Sequence, residues 1–200
     1  MRVVINLVLF AMICGLVWVL YGSIQEPIQF NAEKQKRDKV VTDRLKAIRA
    51  SQELFREITG DGYAPNFDTL IQTLKTGEIM TISVIGDKDD PDNPIISYDT
   101  TYTPATERIA ELNQTSPFKI IVDSLPYVPY SKGEKFQIAA DTITYQSSKG
   151  VSVLEVKTLR KNYMGKYGEP RYARYDASYD PNTFIKFGSL SAPNLTGNWE

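Results

Sequence analysis

VVINLVLFAMICGLVWVLYGSI, residues 3–24, carries no charged side chain, and only Asn6 and Ser23 are clearly polar. Twenty-two residues at a helical rise of 1.5 Å cover about 33 Å, enough for a hydrocarbon core of about 30 Å. In lipid every backbone amide must be satisfied within the segment, which predicts a helix. Trp18 and Tyr21 suit an interfacial belt near its end. A cleaved signal sequence would have a shorter apolar core and a small-x-small site, and Gly22-Ser23 is a poor one. Ile13 before Cys14 does not suit a lipoprotein signal. The expectation is a retained transmembrane anchor over residues 1–25.

Moving outward, residues 26–32 contain Pro27 and read as a linker, because proline removes a helix hydrogen bond. Residues 33–58 hold neither Gly nor Pro. There Val41, Leu45, Ile48, Phe55 and Ile58 recur at helical spacing and predict an amphipathic helix with a charged back. Its apolar stripe fits a helix lying on its own domain's sheet, or a coiled-coil or partner face weakened by Gln52 in the seam. Gly60 and Gly62 end it. Asn66 is a plausible cap for a short helix bearing Phe67, Leu70, Ile71 and Leu74, closed by Gly77.

Beyond Gly77 the period changes to two. Residues 80–85, 95–99, 119–123, 135–139, 142–147, 151–158 and 184–187 are strand candidates, rich in Val, Ile, Tyr and Thr. Lys149-Gly150 suggests a hairpin turn. Helices followed by strands predict an α+β domain over residues 33–200, with both helices packed on a mainly antiparallel sheet.

Composition narrows the chemistry. The formal net charge is -1, which argues against bulk attraction to nucleic acid. There is no histidine, so the commonest general base and metal ligand is missing. Cys14 is the only cysteine, which excludes disulfides within the chain. Ser131-Lys132 and Ser148-Lys149 are adjacent pairs whose side chains point apart in a turn or strand. No P-loop, nucleophile elbow or dinucleotide fingerprint occurs. The expectation is a protein that is not an enzyme and needs no cofactor.

Two clusters remain. Asp87, Asp89, Asp90 and Asp92, beside Asn93, suit either a solvated acidic loop or hard oxygen ligands for Ca²⁺. The sixth and twelfth places of a helix-loop-helix calcium site would hold Asp92 and Tyr98, not the glycine and glutamate it requires. RKNYMGKYGEPRYARYDASY, residues 160–179, interleaves tyrosines with cations. Tyr163, Tyr167, Tyr172 and Tyr175 with Arg171 and Arg174 suit half-buried edge strands, a protein-contact surface, or stacking on bases or sugars.

DRLKAIRASQELFREITGDGYAPNFDTL, from Asp43, resembles the end of the long helix in type IV pilins and type II secretion pseudopilins. Phe55, Gly60, Tyr63, Pro65, Phe67 and Leu70 carry that likeness. A prepilin-type cleavage site with its following glutamate is absent, so the likeness implies architecture, not processing. DRLKAIR, SLPYVPYSKGEKFQI (residues 124–138), VSVLEVK and the terminal GNWE resemble uncharacterised single-span membrane proteins of Bacteroidota. Lys and Arg are denser after the span than before it, which by itself places the domain in the cytoplasm. The resemblances imply the outside, and that is the orientation expected.

The functional expectation is a single-pass, inner-membrane, non-enzymatic component of a bacterial envelope assembly. Its domain would face the periplasm and meet other envelope proteins or further copies of itself. The alternative is an anchored binding module for Ca²⁺ or envelope glycan.

Overall fold

The computed structural model describes residues 1–60, 62–85, 97–146 and 148–200. Its main element is α1 (Arg2–Thr59), one helix of 58 residues. At 1.5 Å per residue it is a rod of about 87 Å. Residues 1–24 are exposed throughout. Within α1 the mean hydropathy reaches 2.7, so this is a helix long and apolar enough to span a membrane.

The linker expected at residues 26–32 is not there: Pro27 lies inside α1. Proline's fixed φ is helical, so its cost is the lost bond to Ser23 and a clash one turn back. Neighbouring contacts offset that cost. Tyr21 and Gln25 are joined by a 2.8 Å hydrogen bond in the turn before the proline, and Phe30, just beyond it, is fully buried. Packing overrides the local signal.

The expected stripe is correct in its buried members. Val41, Leu45, Ile48 and Phe55 are buried, and Ile58 is partly buried against the core. Gln52 in the seam is not an error in the pattern. Its amide accepts from the Ala64 N–H at 2.9 Å and donates to the Ala64 carbonyl at 3.2 Å. Two buried backbone groups of the returning loop are satisfied this way. Gly60, at φ 78, closes α1 with its N–H on the Arg56 carbonyl.

The helix α2 (Phe67–Thr76) is capped by Asn66, whose side chain accepts from the Thr69 N–H at 2.8 Å. It buries Phe67, Leu70 and Leu74. Strands β1 (Glu78–Ile85) and β2 (Ser97–Pro104) form an antiparallel ribbon, and a helix α3 (Ala105–Thr115) follows. Strands β3 (Gln137–Tyr145), β4 (Ser148–Leu159) and β5 (Phe184–Ser189) form a second antiparallel sheet in the order β3-β4-β5. The fold is therefore α+β, with two small sheets in place of one. The helix α1 touches α2, β1 and β5, and the core joins its stripe to Leu154, Val156, Ile185 and Phe187.

Three local expectations are corrected. Residues 119–123 are not a strand but lead into a 3₁₀ turn at Val122–Ser124. The Asn113 side chain takes the Ile120 N–H at 2.6 Å and gives its amide to the Ile120 carbonyl, occupying groups a ladder would need. Candidates 135–139 and 142–147 contribute to one strand, β3. The hairpin turns between Tyr145 and Ser148, with Gln146 at φ 46, so Lys149 and Gly150 belong to β4.

Candidate functional site

A cluster of side-chain hydrogen bonds, ion pairs and ring contacts lies where α1 leaves the domain. There residues 26–38 meet α4 (Arg160–Met164) and the 3₁₀ turns Gly165–Gly168 and Pro170–Tyr175. Gly165, at φ 58, and Pro170 break the segment into short turns, so it never adopts the edge strands its tyrosines would suit.

Phe30 is the centre of this lobe. Tyr172 stacks on it at 5.7 Å, and Tyr167 and Tyr179 meet it edge-on at 5.6 and 5.1 Å. Tyr175 lies tilted at 6.0 Å. Below Phe30, Glu26 accepts from the Tyr175 hydroxyl and from Arg174 at 3.3 Å. Above it, Lys34 donates to Asp176 at 2.6 Å. Higher still, Asp38 accepts from the Tyr163 hydroxyl at 2.6 Å and pairs with Arg160 at 3.3 Å. Glu26, Phe30, Lys34 and Asp38 are each four residues apart, so they form one face of the helix. That face continues upward into the Val41–Leu45–Ile48 stripe. Sequence periodicity missed its lower half because three of its four members are charged.

Burial, reinforced by the Asp38 charge, pushes the Tyr163 hydroxyl well above its ordinary range. The same causes push Tyr179 up to about 12. The hydrogen bond from Tyr175 holds the Glu26 carboxyl below the usual range. Asp176 is held down to about 2, first by Lys34 and then by Ser178. Phenols move up and carboxylates down, so these groups keep one charge state across neutral pH.

A stability prediction follows from Asp176. Its folded pKa lies below the ordinary carboxylate value of 3.8, so the carboxylate stabilises the fold above about pH 4. That contribution is lost as pH falls through about 2. Lys34→Ala should remove most of it, lowering stability by about 1 kcal/mol at neutral pH after solvent screening. The variant and parent curves should converge only below about pH 2. Thermal melts at stepped pH read the difference directly.

The tyrosine-rich residues divide by exposure. Tyr163, Tyr167 and Tyr172 are buried within the chain, and Tyr175 is partly buried. Arg171 and Arg174 are exposed, their guanidinium groups 4.6 Å above the rings of Tyr172 and Tyr175. Asp87, Asp89, Asp90 and Asp92 lie outside the described residues. Among the described residues no three acidic or thiol side chains gather as metal ligands.

Of the adjacent serine–lysine pairs, Ser131 is engaged in a turn. The Ser131 hydroxyl donates to the Val128 carbonyl at 2.7 Å and accepts from the Glu134 N–H, which makes it a turn residue. Ser116 and Lys119 are three residues apart, a spacing also used by serine–lysine hydrolases. The Lys119 ammonium, however, donates to the Asn113 carbonyl. No protein-family model, curated protein or solved structure matches this chain.

Proposed function

We propose that this chain is a membrane-anchored, non-enzymatic component of a bacterial envelope assembly, pilin-like in architecture. It sits in the inner membrane by a single span and holds its domain in the periplasm, within reach of other envelope proteins or further copies of itself. The observation carrying this reading is the continuity of α1. Its first turns are oily and uncovered, and its later turns are the spine of the domain.

Energetics support the anchor. Sixteen large apolar side chains between Val3 and Ile24 are more than half exposed. At about 1.5 kcal/mol or more each, leaving them in water costs on the order of 20 kcal/mol. A bilayer removes that cost. Without a break at Pro27, a displacement of the span is passed mechanically to the domain. The charge states of the junction groups favour a structural role there over proton transfer.

Fractionation tests the reading. After an alkaline carbonate wash the full chain should stay in the membrane pellet. Protease should remove its domain from spheroplasts but not from intact cells. Gentle detergent extraction should recover it with defined partners or as a homo-oligomer. A chain released by carbonate, or one running as a monomer in every mild detergent, overturns the proposal.

A further inference from the structure

The second sheet has an open slot. On one side β4 is paired by β3 from Gln137↔Lys157 to Tyr145↔Ser148. On the other side β5 covers only part of β4, ending at Leu154↔Ser189. After Ser189 the chain bends away, and the Gly188 N–H bonds the Thr196 carbonyl at 3.0 Å. The β5 side of β4 over residues 148–153 therefore has no ladder partner among the described residues.

A cleft of about 540 Å³ runs along this edge. Gly150, Val151, Ser152, Val153 and Leu154 all border it. Successive strand side chains point to opposite faces, so a cleft bordering all five follows the backbone edge itself. Arg56 and Tyr63 also border it, as do Pro193, Asn194 and Leu195 from the segment after β5. Five strand residues span about 16 Å, room for a short extended peptide.

Charge names the occupant. Arg56 is exposed and lies over the Tyr63 ring at 5.8 Å. It forms no ion pair with a described residue. Glu53 and Glu57 share its helix but do not border the cleft. A guanidinium with no ion pair, beside strand amides with no ladder partner, both among the described residues, suits a strand that brings a carboxylate.

We propose that this cleft takes an extended acidic peptide strand from another protein, added to β4 beyond the end of β5, with a carboxylate against Arg56. Main-chain hydrogen bonds provide the affinity and the guanidinium selects the charge. The inference goes beyond the envelope reading and does not rest on it. Arg56 stands about 48 Å along the helix from Ile24, so peptide capture and membrane insertion can fail separately.

The test uses the full chain in detergent micelles. The probe is a fluorescein-labelled peptide of alternating valine and threonine with glutamate at both ends. Binding should raise its anisotropy, and amide exchange should slow at residues 150–153. Arg56→Gln, a change at an exposed site, should weaken binding roughly tenfold. The same peptide N-methylated at every amide, which leaves neither edge with donors, should not bind. Equal binding of the N-methylated peptide, unchanged exchange at 150–153, an indifferent Arg56→Gln variant, or no binding up to millimolar peptide each overturns the proposal.

Discussion

Replacing Phe30 with alanine should destabilise the domain by about 4 kcal/mol, the range for emptying a buried aromatic site. Phe30 is fully buried, and four tyrosine rings touch it. Two of those rings are tethered and cannot collapse freely into the void. Tyr179 is held by its hydroxyl on the Tyr167 carbonyl at 2.7 Å, and Tyr175 by its bond to Glu26. The loss corresponds to a fall in Tm of about 10 °C for a chain of this size. Near-ultraviolet circular dichroism of the full chain in micelles reads it, because the tyrosines report their own packing. A loss under about 1 kcal/mol would mean that the rings do not enclose Phe30.

Gly188→Ala should cost about 3 kcal/mol, for a different reason. Gly188 adopts φ +75, which strains any residue with a Cβ. An added Cβ would also stand 2.0 Å from the Leu154 carbonyl oxygen, which is backbone. Relief requires β5 to move off β4, and the chain's last residues would move with it. Those residues are anchored by Asn198, whose N–H bonds the Lys186 carbonyl at 3.0 Å, and by Glu200 on Arg49 at 2.9 Å. Chemical unfolding should show a lower midpoint, with faster amide exchange at Phe184–Ser189. A variant as stable as its parent would show that β5 does not follow this path.

The reading from sequence succeeded where a single physical signal dominates. The oily run at residues 3–24 and the stripe of Val41, Leu45, Ile48 and Phe55 are both periodicity arguments. Asn66 and Gly77 mark the ends of α2 through local hydrogen bonding alone. It failed where distant residues decide. Pro27 reads as a break until Phe30 and Glu26 are seen to be gripped by a segment some 140 residues later. Residues 119–123 have strand composition, but one side chain, Asn113, claims the Ile120 backbone. The helix α3 had a signal that went unused: Ala105, Ile109 and Leu112 at helical spacing, with Glu107 in the first turn.

The candidate site was half legible for a related reason. Tyrosines and arginines over residues 160–179 stand out in composition, and their clustering is real. Composition cannot say which ring faces inward, because a tyrosine suits a core and a wet surface equally. The decision rests with Phe30, which offers Tyr167, Tyr172 and Tyr179 an apolar centre and leaves Arg171 and Arg174 outside.

By itself the sequence determined the class of elements and the presence of an apolar helix long enough for a bilayer, since both depend on local pattern and on hydropathy summed over neighbours. Tertiary structure alone decided that this helix runs unbroken into the domain, that the strands divide into two sheets, and that part of one β4 edge has no ladder partner among the described residues. Each of these depends on contacts between residues far apart in the chain, whose energies no local window contains.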